Sequence, residues 1–257
     1  HVCVNIMATS IKDIAKITGV SHSTVSRALR QSSLISPETA ERIRRVAREM
    51  GYQPSAAARS LKTNRTQVLG VIVSNIADPY FSEILLGIEE YAQERGYSLF
   101  IASSQHDPLR ERKIVQTMME QRTDGVIICS SSFSTEQGRQ LLDYGFPVVV
   151  INNQAADNFH FSIYHDDRDG SQQITRHLIS LGHRRIAYMG NARSGRTDVD
   201  RLAGYQLAMS AENLPVPSEY IHSVDGGEAI SGFQAMQYFL GLQPRPTAVF
   251  CFNDLMA

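Results

Sequence analysis

From Val68 onward the chain alternates short apolar runs with amphipathic stretches, and few folds accommodate that order. VLGVIVSNI, YSLFIASS, DGVIICSSS and PVVVIN are continuous apolar segments, as strands of a parallel sheet covered on both faces are. Between them, residues 81–95, 109–122 and 135–144 carry apolar positions at helical spacing. HFSIYHDD opens a second series, with RIAYMG and TAVFCF as strands and residues 169–181, 198–212 and 229–240 as helices. The pattern predicts two doubly wound α/β lobes, residues 67–163 and 164–257. Ligands of such sheets bind at the carboxyl ends of the strands.

The first 65 residues obey a different rule. They hold eleven Lys/Arg and four Asp/Glu, whereas the remaining residues hold 14 and 22. So uneven a distribution points the N-terminal piece at a polyanion and the rest away from one; a solvated basic face is the alternative. Ser10 and Asp13 predict a capped helix carrying Ile11, Ile14, Ala15 and Thr18 on one face, closed by Gly19. Ser21 caps a second helix with Val25, Ala28 and Leu29 inward. Two short helices around a glycine turn predict a helix-turn-helix within residues 9–53. The outward groups of the second helix are Ser21, His22, Ser23, Thr24, Ser26 and Arg27. All but Ser26 are taken as candidates for base edges in a major groove. A third helix starts at Ser36-Pro37 and stops at Gly51. Its Arg42, Arg45 and Arg48 suit DNA phosphates, or simply a solvated face.

Residues 54–66 read as a linker. The seven residues 55–61 are too few for a stable isolated helix, so the segment is expected to order on a partner. Ala58, Leu61 and Lys62 are its candidates for a minor groove, Leu61 as an apolar wedge or packed on its own linker.

IKDIAKITGVSHSTVSRALR, ISPETAERIRRVAREMGYQPSAAARSLKT and LGVIVSNIADPYFSEILLGIE, in that order and without gaps, resemble the lactose-repressor/galactose-repressor (LacI/GalR) family. The resemblance runs from about Thr9 to the last residue and is closest to members whose hinge reads AARSLKT. It implies a dimeric regulator of double-stranded operator DNA, controlled by a small-molecule effector in a cleft like that of periplasmic sugar-binding proteins. It also implies that the core is C-terminally truncated, since the family begins another helix at NDLMA. Met7 is expected to be the natural start, with residues 1–6 upstream.

The resemblance carries over effector contacts residue by residue. Tyr80 and Phe81 match an aromatic pair and share a loop with Asn75 and Asp78; helix capping and core packing are their alternatives. Gln105 and Cys129 follow the next two strands, although Cys129 also suits a buried thiol. Arg201, in RLAGY, matches the guanidinium that grips polar ligand groups, with Thr197 one turn earlier; an ion pair with Asp198 or Asp200 is the alternative. Asn253 and Asp254 match a polar pair, and Asn-Asp also starts helices. Where relatives often place a stacking aromatic before SGF, this chain has Gly227, which favours a sugar over a planar base.

Two other classes are weighed and set aside. A sugar receptor without DNA function fits neither the basic head nor the lack of an export signal. A nucleotide-using α/β enzyme lacks a G-x-G-x-x-G, a P-loop and a spaced Ser/His/Asp set, and His106, His165, His177 and His183 are scattered. No cofactor, metal or membrane partner is expected, and the location is expected to be cytoplasmic.

Overall fold

The computed structural model describes residues 9–52, 64–129, 133–155 and 159–257. The expected hinge residues Ala58, Leu61 and Lys62 lie outside them, as does Cys3. Two units meet in sequence between Thr66 and Gln67.

In the first unit, α1 (Ile11–Thr18), α2 (His22–Leu29) and α3 (Pro37–Glu49) enclose Ile14, Val25, Ala28, Ala40, Ile43 and Ala47. Local chemistry sets each boundary. Ser10 and Asp13 form the reciprocal capping box, and Gly19 ends α1 at φ 67°, where a side chain would be strained. Ser21 and Ser36 accept from the third backbone N–H of their helices, and Pro37 occupies the first turn of α3. Ser10→Ala is expected to lower the stability of this unit by about 1 kcal/mol, read as a shift in its melting transition. Hydrogen bonds from the Ser10 hydroxyl, then from its backbone, hold the Asp13 carboxyl below its ordinary value. The share of the cap that the Asp13 carboxylate supplies is therefore complete above the ordinary carboxylate range and lost as pH falls through the lowered value, while the bond from the Asp13 amide to the Ser10 hydroxyl is unaffected.

The second unit contains two parallel sheets. The first has the order β2-β1-β3-β4-β5, from β1 (Val68–Val73), β2 (Ser98–Ser103), β3 (Val126–Cys129), β4 (Val148–Ile151) and β5 (Ser162–Ile163). Helices α4 (Pro79–Glu94), α5 (Pro108–Glu120) and α6 (Thr135–Asp143) connect the first four strands. After α7 (Asp167–Ser180), the second sheet orders β6 (Ile186–Asn191), β7 (Ile221–Val224) and β8 (Ala248–Cys251) as β7-β6-β8. Its helices are α8 (Gly195–Ala211) and α9 (Ala229–Gly241).

Two sequence expectations need correction. HFSIYHDD does not open the second sheet: its two strand residues pair in parallel with β4 and finish the first sheet, and the chain crosses over only afterwards. The strand β7 was not expected at all. It lies at the edge of its sheet, and its IHSV sequence lacks the apolar run of a strand covered on both faces. Among the described residues no helix is long and apolar enough to cross a membrane.

Candidate functional site

On the first unit, Val25 and Ala28 turn α2 inward, leaving His22, Ser23 and Arg27 exposed together. Ser21 is less available. Its hydroxyl accepts from the Thr24 amide at 3.1 Å and contacts the hydroxyls of Ser23 at 2.7 Å and Thr24 at 2.9 Å. The three expected phosphate-binding arginines differ from one another. Arg42 donates to the Thr18 carbonyl at 3.2 Å, bracing the end of α1. Arg45 lies 4.0 Å from Glu49 and Arg48 3.3 Å from Glu41, both pairs exposed and of little energetic weight.

On the second unit, a cavity of about 870 Å³ opens between the lobes at the carboxyl ends of β1, β4, β6, β7 and β8. From the first lobe come Asn75, Asp78, Tyr80 and Phe81, and from the second Thr197, Arg201, Asn253 and Asp254. The structure thus gathers eight of the ten expected effector residues on one lining. Gln105 is not among them. It adopts φ 55° and turns its carboxamide oxygen to Arg110 Nη1 at 2.7 Å. Cys129 is also absent from the lining, packed with Val71, Val73 and Phe81, and burial pushes its thiol up to about 12.

Most of the lining groups have structural work as well. Asp78 caps α4 through the Tyr80 amide at 3.0 Å, and Asn75 accepts from the Ala77 amide at 3.0 Å. Phe81 is core, whereas Tyr80 stays 38% exposed, edge-on to both Phe81 and His165. Burial, reinforced by the Cys129 thiol as it ionises in the same range and by the Asp167 carboxylate, raises the Tyr80 phenol to about 12, so it stays protonated at neutral pH. Thr197 is buried and fully engaged. Its hydroxyl donates to Asn152 Oδ1 at 3.2 Å and accepts from Gln154 Nε2 at 2.9 Å, tying α8 to the segment after β4. Asn253 donates from Nδ2 to the Gly227 carbonyl at 3.0 Å and caps the following 3-10 turn through the Met256 amide.

Arg201 pairs with neither Asp198 nor Asp200. Its partner is Asp167, the first residue of α7, at 2.9 Å from both Nε and Nη2, while Nη1 donates to the Phe252 carbonyl. Asp198 instead accepts from the Tyr188 hydroxyl at 2.8 Å and the Asn191 amide at 3.0 Å. Asp200 lies 3.4 Å from Arg196 and 4.0 Å from Arg168. Sequence reasoning also missed Ser74, which lines the cavity at 2% exposure with no hydrogen-bond partner for its hydroxyl. A buried unsatisfied hydroxyl at a cavity wall calls for a ligand or water. His106 and His165, two of the scattered histidines, both lie on the lining.

Residues 66–257 match the family model for periplasmic binding proteins and the sugar binding domain of the LacI family, and residues 10–55 the model for bacterial regulatory proteins of the lacI family. The chain belongs to the LacI family. It is 36% identical over 251 residues to the HTH-type transcriptional repressor PurR of Actinobacillus pleuropneumoniae serotype 5b (strain L20), covering 98% of this chain and 74% of the relative. Its structure is similar to that of the lac repressor dimer bound to operator and the anti-inducer ONPF, with a TM-score of 0.84 at 26% identity, covering 97% and 75% of the two chains. The complex of the transcriptional regulator CelR with cellobiose matches at a TM-score of 0.65 and 28% identity, over 96% and 75%. The parallel two-lobe core and helix-turn-helix of this LacI-family chain are those of its relatives.

Gly227 takes on meaning in this setting. A β-carbon there would stand 2.9 Å from Asn191 Nδ2 and 3.1 Å from Asn253 Nδ2. Carboxamides occupy the place beside the backbone where a side chain would start.

Proposed function

We propose that this LacI-family protein is a transcriptional repressor that binds a two-fold symmetric operator as a homodimer and is controlled by a small polar effector, a sugar. The observation that carries the DNA reading is the exposed set His22, Ser23 and Arg27 on α2, whose opposite face is locked into the core. An α-helix fits the major groove, and these side chains donate and accept at base edges. Each head then covers one half-site, and the symmetry of the protein is mirrored in the DNA. The protein works in the cytoplasm, as a regulator and not an enzyme.

For the effector, the lining of the cavity supports a polyhydroxylated ring. Ser74, Asn75, Asn253 and Arg201 offer hydrogen-bonding groups, and Tyr80 offers one apolar face. A planar base would call for a second stacking surface, and Gly227 with its flanking asparagines supplies none. The cellobiose complex of a relative agrees with this choice. Because both lobes contribute, a bound ligand favours one lobe arrangement and so couples to operator affinity.

Fluorescence anisotropy on a set of half-site variants tests the DNA arm. Arg27→Ala is expected to cost about 1–3 kcal/mol and to relax preference at one base position. Arg45→Ala is expected to weaken every sequence alike and to flatten the salt dependence. An Arg27→Ala protein with unchanged base preference contradicts the assignment.

A further inference from the structure

The charges around the cavity are unbalanced, and its basic groups are already engaged. Among the described lining residues, five carboxylates face two guanidiniums. Arg193 is held by Asp225 in a two-pronged pair at 2.5 and 2.7 Å. Arg201 is held by Asp167, whose side chain is only 9% exposed, and by the Phe252 carbonyl.

Two of the four α-helix N-termini that open on the cavity, those of α4 and α7, are capped by carboxylates, whereas at α8 Ser194 makes no capping hydrogen bond and Gln154 Oε1 accepts from the Thr197 amide. A free helix N-terminus attracts anions through its unpaired N–H groups. Here Asp78 takes the Tyr80 amide, Asp166 takes the Asp169 amide at 3.0 Å, and Asp254 takes the Leu255 amide at 3.1 Å. Glu228, at the start of α9, makes no capping hydrogen bond and remains as further negative charge on the wall. At the starts of α4, α7, α9 and the turn after β8, an anionic ligand would therefore meet carboxylates where such sites usually present donors. A neutral ligand meets suitable groups. Ser74 has an unsatisfied hydroxyl, and a guanidinium has five N–H donors, so Arg201 keeps N–H groups on Nη1 and Nη2 beyond its protein partners.

We propose that the effector bears no negative charge, and that Asp167 sets this specificity by holding Arg201 as a neutral pair, so that phosphorylated and carboxylated sugars are rejected. The proposal rests on reading this cavity as the effector site. It deepens that reading from a small polar molecule to an uncharged or amine-bearing one. Discrimination of this kind comes from placing a like charge against the wrong ligand as much as from contacts to the right one.

Calorimetry on the full-length protein tests it. A panel of neutral sugars, each beside its phosphate and its uronic or aldonic acid, is titrated into wild type and Asp167→Asn. Wild type is expected to bind a neutral sugar at least about a hundredfold more tightly than its anionic derivatives, and Asp167→Asn to narrow that gap by about tenfold or more. Inorganic phosphate gives an answer independent of the effector's identity: no saturable heat with wild type, and saturable heat with Asp167→Asn. Should Asp167→Asn fail to fold, Glu228→Gln removes another wall carboxylate without touching the Arg201 pair, and the gap should again narrow. Wild-type binding of inorganic phosphate or of a sugar anion as tightly as its neutral parent overturns the proposal, as does an unchanged preference in the variants. A nucleobase that binds where no sugar does overturns the sugar reading alone. The charge rule is then decided by that base against its nucleoside monophosphate.

Discussion

Arg201→Ala is expected to abolish the effect of any effector on operator binding and to destabilise the second unit by about 2–3 kcal/mol. Both consequences come from one geometry. The guanidinium reaches the cavity while pairing with Asp167 and bonding the Phe252 carbonyl, so it joins α8 to the start of α7 and the end of β8. Removing one partner of a buried pair leaves an uncompensated charge, at a cost of about 3–5 kcal/mol when burial is complete. Arg201 is 27% exposed, which places the expected loss below that range. Urea unfolding measures it. The double variant Arg201→Met, Asp167→Asn removes both charges and should recover most of the stability without recovering the effector response. An Arg201→Ala protein that responds normally to its effector shows that the cavity is controlled elsewhere.

Gly204→Val is expected to cost about 3 kcal/mol or more, at the severe end of overpacking. A β-carbon at Gly204 would lie 2.1 Å from the Arg168 carbonyl oxygen and 2.8 Å from the Ser171 β-carbon. The obstacle is helix backbone, which cannot step aside as a flexible side chain can. The same close approach lets Ser171 donate to the Arg201 carbonyl at 2.5 Å, so α7 and α8 are clasped where Asp167 and Arg201 meet. Gly87→Ala is the control. Gly87 lies inside α4, and a β-carbon there meets nothing within 4 Å, so the change should stabilise by about 0.5–1 kcal/mol. Comparable losses at the two positions would contradict the packing account.

How much of this was legible in the sequence follows from the range of the forces involved. Ser10, Gly19, Ser21 and Ser36 announce helix ends because capping is satisfied within three or four residues. β1, β3 and β4 were legible because burial in the middle of the sheet leaves apolar runs, and β2 because LFIA stays apolar although it is an edge strand with Phe100 and Ile101 exposed. At β7, and in the two-residue β5, an edge position relaxes that demand and the signal fades. The lining residues Tyr80, Arg201 and Asn253 were found through family resemblance, but their partners were not. Asp167 lies 34 residues from Arg201 in sequence, and no local pattern links them. Ser74 gave no signal at all, because one serine after an apolar run is ordinary until the fold buries it. Gln105 fell out of the site for a local reason, the left-handed backbone that sends its side chain to Arg110.

In the proposed function, α2 reads DNA sequence in a symmetric pair. Selection of bound duplexes from a random library by the full-length protein tests this most directly. An enriched palindrome is expected, its half-sites sharing one dominant base preference that is lost at one position in the Arg27→Ala protein. Enrichment of no palindrome by a folded, DNA-binding protein would contradict it.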